Sequence, residues 1–132
     1  MTLCQNNRTM GKINRQEVYD KFGQVCGYCG KDIMSIKDMQ IDHIEPQWKF
    51  KEGYTTGDMN MNDPTNLLPT CRTCNHYKRG HDLEGFRRLM TTLHERVCSD
   101  YIVKVAMKHG IVQIKPFDGK FYFERFKQQE NE

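Results

Sequence analysis

The segment CGYC at residues 26–29 is half of a pattern whose other half, CRTC, lies at residues 71–74. Two residues separate the thiols of each pair, Cys26/Cys29 and Cys71/Cys74, the spacing of a knuckle that presents both sulfurs to one ion. In a reducing compartment two such knuckles read as a tetrahedral zinc site of four thiolates. A redox pair or unrelated buried thiols are the alternatives. Cys4 and Cys98 are left over and are expected to be free. The 41 residues between Cys29 and Cys71 exceed the roughly 15–20 of a simple zinc ribbon, so a functional segment is inserted between the knuckles. Pinning both knuckles to one zinc would draw the start of that insert against the helix that follows it.

A chain of 132 residues buries only a modest core, for which a metal staple is a material help. Hydrophobic residues make up 37%, and no apolar run approaches the roughly 18 residues of a membrane span. The opening MTLCQNNRTMGK lacks the apolar core of a signal peptide. The expectation is therefore an intracellular, cytoplasmic protein without a membrane partner, where thiols stay reduced. Lysine and arginine number 20 against 17 acids, a net charge of +3, which permits nucleic-acid binding. Lys78, Arg79, Arg87 and Arg88 crowd the region after the second knuckle, where a solvated helix face is the plain alternative.

Along the chain, a helix is predicted over 14–22, capped by Asn14 and stopped by Gly23. MQIDHI at 39–44 alternates as a strand does and is closed by Pro46. Residues 47–63 read as a loop anchored by Trp48, Phe50 and Tyr54. A turn at Asp63 leads into a short strand at Leu67 and Leu68, and a helix runs from the second knuckle to Gly80. One helical stripe covers 83–97 with Asp82 as its cap, and a second helix covers 99–110. GIVQIKPFDGKFYFERF then reads as two strands joined through 116–119, with Asp118-Gly119 as the turn signal. Its Phe121, Tyr122, Phe123 and Phe126 are expected in the core or sheet.

Asp42 and His43 are neighbours in the first strand, so their side chains point to opposite faces and cannot form a simple dyad. Each must serve something different. With CGYCG, DHIEP, NLLPTC and CNHYK in that order, the chain resembles the HNH endonucleases, in particular those whose ββα-metal motif is flanked by two cysteine pairs. The likeness covers about residues 15–80, and LEGFRRLM beyond it is similar to a common family extension. With the reading above, it implies an α+β fold, a zinc-stapled ββα-metal (His-Me finger) core with a helical extension and a C-terminal β-hairpin. The whole chain, 1–132, would be one nuclease domain, with the core at about 14–80 and the extension at about 82–126.

The resemblance further implies metal-dependent hydrolysis of DNA phosphodiester bonds. His43 would be the general base that activates water, and Asp42 a ligand of the catalytic divalent ion. Asn66, the middle letter of the motif, would brace the loop that carries the base. Asn75 stands at the last letter, commonly histidine, making this an HNN variant whose amide oxygen is the second metal ligand. Oxygen donors tilt the site toward Mg²⁺ or Mn²⁺, with Zn²⁺ kept for the four cysteines. Lys78 would hold a phosphate, and Arg79 would join it in gripping DNA. The glycine pair common after DHIxP is absent from QWKFKEGYTTG, so no substrate contact carries over to that loop. His76 is expected at the surface or on a phosphate, and His81, His94 and His109 as surface or partly buried residues. A non-catalytic zinc-stabilised DNA-binding module of the same fold, or a zinc-dependent scaffold for a protein partner, are the other readings.

Overall fold

The computed structural model describes residues 12–53 and 60–131; Cys4 and Tyr54, singled out above, lie outside them. The described residues divide into two compact units, one formed by those up to 82 together with those from 121 onward, the other by 83–120.

In the first unit, helix α1, Arg15–Asp20, begins where Asn14 Oδ1 accepts the Glu17 N–H at 3.2 Å, which satisfies a donor the helix itself cannot pair. It buries Val18 and Tyr19. The chain reverses through Gly23 and Gln24, both at positive φ, into the first knuckle. A 3-10 turn, Ile36–Asp38, leads into strand β1, Gln40–His43. After Pro46 a short helix α2, Gln47–Lys51, forms where a loop was expected. A second 3-10 turn, Pro64–Asn66, is capped by Asp63 and delivers strand β2, Leu67–Thr70. Helix α3, Arg72–Lys78, follows at once, with Cys71 as its N-cap.

β1 and β2 pair antiparallel with Gln40 opposite Thr70 and His43 opposite Leu67, and α3 packs on β1. Two strands and a helix thus form the frame in which the two knuckles meet. Leu67 and Leu68, on opposite faces of β2, are both buried. Gly27 shows how tightly the first knuckle sits on β2. Its N–H donates to Pro69 O at 2.7 Å, and a Cβ there would fall 2.5 Å from Leu68 Cγ.

The expected C-terminal hairpin is not present. Residues 112–117 form neither strand nor helix, and helix α7, Tyr122–Asn131, takes up the FYF run; the labels α4 to α6 belong to the helices of the second unit. Two interactions explain the choice. Glu124 Oε1 accepts the Phe121 N–H at 2.9 Å, a side chain reaching back over the first turn as in a capping box. The next two N–H groups, of Tyr122 and Phe123, donate to the knuckle carbonyls of Tyr28 and Gly27 at 3.1 and 2.8 Å. Phe121 and Phe123 are buried edge-on to the Tyr28 ring, at 5.1 and 6.1 Å between centroids. The expected extension over 82–126 therefore divides at Phe121, where the chain returns to the first unit.

The second unit holds α4, Leu83–Thr91, α5, Leu93–Cys98, and α6, Tyr101–Lys108. The single stripe expected over 83–97 is broken at Thr92. Its hydroxyl bonds back to Arg88 O and Leu89 O at 3.1 and 3.3 Å, and Arg96 Nη2 also takes Leu89 O. Those carbonyls are drawn off by side chains, as threonine in a helix tends to do. Cys98 is a free thiol. Among the described residues no helix is long and apolar enough to cross a membrane.

Candidate functional site

Cys26, Cys29, Cys71 and Cys74 converge, their sulfurs all within 4.8 Å of one another and Cys29 Sγ 4.0 Å from Cys71 Sγ. Four thiolates on zinc arms of ~2.3 Å would stand about 3.8 Å apart, so the cluster has the dimensions of a tetrahedral structural site. A redox pair would leave the convergence of the second knuckle without a cause. Backbone N–H groups already point at sulfur, from Tyr28 to Cys26 at 3.4 Å and from Cys74 to Cys71 at 3.5 Å. The charges agree with the geometry. A hydrogen bond from Cys74 lowers the Cys26 thiol to about 5, while burial pushes Cys29 up to about 11. Four anions cannot share so small a volume unless a cation stands among them. The cluster is capable of binding a zinc-like structural metal.

β1 sends Asp42 to one side and His43 to the other, as alternation requires. Asp42 is buried against α3. Its Oδ2 accepts from Tyr28 Oη at 2.5 Å and pairs with Lys78 Nζ at 3.0 Å. Lys78 Nζ also donates to Oδ1 at 3.2 Å and to His43 O at 3.1 Å. Burial pushes the Asp42 carboxyl above its ordinary range, against the pull of Lys78 and Tyr28. Lys78, expected to reach outward to a phosphate, is fully buried in the structure. Its ammonium is consumed by a carboxylate it must neutralise, because an unpaired buried charge is costly. Arg79, next along the chain, is exposed. Of the other cations in the run, Arg87 pairs with Glu84 and Arg88 is exposed.

On the opposite face His43 is half-buried, with Nε2 2.8 Å from Asn62 Oδ1. The strand leaves His43 under tight control. Ile44 N–H donates to Asn66 O at 2.9 Å, and the Asn66 side chain, 3% exposed, clamps the residue beyond. Its Oδ1 accepts from Glu45 N at 2.8 Å, and its Nδ2 donates to Glu45 O at 3.1 Å and Met61 O at 2.9 Å. One buried amide thus ties the segment after His43 to the segment that carries Asn62.

Asn75 sits on α3 one turn before Lys78 and faces the same side of β1. Its Nδ2 donates to Gln40 Oε1 at 2.6 Å, and Gln40 lies two residues before Asp42 on the same strand face. The structure therefore brings Asp42 and Asn75 to one strand–helix face and holds His43 on the other. His76, beside Asn75, is exposed. Tyr28, Gln40 and Asn62 were not singled out from the sequence. Tyr28 was legible in principle, since a hydroxyl folded into a cysteine knuckle needs a buried partner. Asn62 lay in the amide-rich run NMND, where nothing marked one asparagine above another.

Residues 26–80 match the family model described as HNH endonuclease. No curated protein and no solved structure matches the chain.

Proposed function

From the match of residues 26–80 to the family model described as HNH endonuclease, we propose that the protein is a metal-dependent endonuclease that hydrolyses DNA phosphodiester bonds, with His43 as the base that takes the proton from the attacking water. The observation that carries this reading is the Asn66 clamp beside a half-exposed imidazole. A module that only binds DNA has no need to fix the backbone beside a histidine with three hydrogen bonds, whereas a base misplaced by an ångström loses much of its rate. Imidazole is the side chain suited to proton transfer near neutrality.

Asp42 and Asn75 are the proposed holders of a Mg²⁺ or Mn²⁺ ion, placed at the edge of β1, where a phosphate can reach both the ion and the water that His43 activates from the strand's other face. Their donors suit the ion: one carboxylate and one amide oxygen, the kind of sparse oxygen set that hard divalent ions complete with water and substrate phosphate. Asn75 gives its Nδ2 to Gln40, which leaves the oxygen as the ligating atom. Lys78 already balances the Asp42 charge, so the ion competes with an ammonium and is held weakly. When bound it would neutralise charge on the phosphate and the leaving oxygen. Asn66 positions the base. Exposed Arg79 meets the DNA backbone, in contacts that weaken with salt, and Lys78 is withdrawn from that role.

The test is nicking of supercoiled plasmid by the zinc-loaded protein with Mg²⁺, with Mn²⁺ and with brief mild chelation. His43→Ala is expected to lose about 10²- to 10⁴-fold in rate while keeping its fold and its DNA affinity. Native nicking by His43→Ala would overturn the assignment of the base. A native protein that binds DNA and nicks with neither ion would make it the non-catalytic module instead.

A further inference from the structure

His43 has two ring nitrogens, and only one of them can carry the lone pair that a base uses. An amide oxygen accepts and cannot donate. With Asn62 Oδ1 2.8 Å from His43 Nε2, the hydrogen of a neutral His43 belongs on Nε2 and the lone pair on Nδ1. The tautomer of a histidine is set by the partner of its other nitrogen, and here that partner is Asn62.

Asn62 is itself held in place. Its N–H donates to Asn60 Oδ1 at 2.9 Å, and the Asp63 N–H donates to Asn60 O at 2.9 Å, so the turn is closed on both sides of it. The preceding carbonyl, of Met61, accepts from the same Asn66 Nδ2 that holds Glu45 O. Imidazole and amide are thus carried by two segments that one buried asparagine joins. Their hydrogen bond forms without ordering either segment afresh, the condition under which such a contact fixes geometry effectively.

We propose that Asn62 is a positioning residue, which locks His43 in the Nε2–H tautomer and turns its Nδ1 lone pair toward the water to be activated. The proposal rests on His43 as the base, but the tautomer can be read without turnover. In the 132-residue, zinc-loaded protein with ¹⁵N-labelled histidine, multiple-bond ¹H–¹⁵N spectra recorded where the histidines are neutral should show His43 as Nε2–H. Asn62→Ala should mix the two tautomers at His43 alone and slow nicking about 10- to 100-fold, in kcat and not in KM. Asn62→Asp keeps the acceptor oxygen and should restore both the spectrum and most of the rate, which a merely structural role would not require. An Nδ1–H tautomer in the native protein, or an unchanged His43 spectrum in folded Asn62→Ala, would overturn the proposal. Native nicking by His43→Ala would remove the base reading instead, and the spectra tell the two failures apart.

Discussion

The cysteine cluster and the β1–α3 face join the same parts of the chain by opposite means. Cys26 and Cys29 reach Cys71 and Cys74 through four sulfur atoms within 4.8 Å of one another, which as thiolates need a cation to share that volume. On the other side Asp42 reaches Lys78, and Gln40 reaches Asn75, through contacts that close on themselves. The first region is complete only with a cation, and the second is neutral as it stands. Stability should therefore depend steeply on zinc, and catalysis on a second ion that the fold does not need.

Breaking the first region should have the largest effect. Structural zinc in small peptides carries apparent binding free energies of about 10–16 kcal/mol at pH 7, as large as the whole stability of an ordinary domain at roughly 5–15 kcal/mol. Cys71→Ser is expected to lose zinc and to unfold or precipitate, as followed by elemental analysis and circular dichroism. Mild chelation of the native protein should stop nicking, leave the fold intact and be reversed by Mg²⁺ alone. A folded, active Cys71→Ser protein without zinc would erase the contrast between the two regions.

Breaking the second region should cost less, and without loss of zinc. Lys78→Met removes the ammonium and leaves Asp42 a buried, unpaired carboxylate, a change worth about 3–5 kcal/mol. Urea unfolding should show the loss with zinc content unchanged. A loss under about 1 kcal/mol would mean that Asp42 reaches water in solution and that its pairing with Lys78 is incidental.

The two regions also differ in how far they could be read from the sequence. The sulfur cluster was legible because the ligand spacing is itself the chemistry: CGYC and CRTC point to a four-thiolate metal site before any fold is known, and the convergence of all four sulfurs is what speaks against the redox pair. The strands and the helix around Asp42, His43, Asn66 and Asn75 followed from short motifs of the same kind. Lys78 was misread as a surface cation because its partner lies 36 residues back, and nothing local to CNHYK says that its ammonium is spent. The C-terminal run failed for a related reason. A short aromatic stretch such as FYF fits strand or helix equally by pattern, and what decided between them was a pair of carbonyls at Gly27 and Tyr28, some 95 residues away. Partners supplied by tertiary structure leave no mark at the position they stabilise.

Tyr28 belongs to both regions and should give the smallest and most informative effect. It stands between Cys26 and Cys29, and its hydroxyl crosses to Asp42. Tyr28→Phe keeps the ring and with it the edge-on contacts to Phe121 and Phe123, and removes one hydrogen bond to a charged acceptor, worth about 1.5–3 kcal/mol. Asp42 retains Lys78, so the carboxylate is not stranded and the loss should fall below that of Lys78→Met. Zinc content should not change, because the sulfur ligands and the N–H groups aimed at them are untouched. The Tyr28→Phe and Lys78→Met effects should not add, since both groups act on one carboxylate and the loss of either alters what the other holds. Urea unfolding of the two single variants and the double variant measures that coupling. Simple additivity would mean that Asp42 does not join them, and a Tyr28→Phe protein that released zinc would mean that the hydroxyl holds the knuckle itself, leaving one region where two are described.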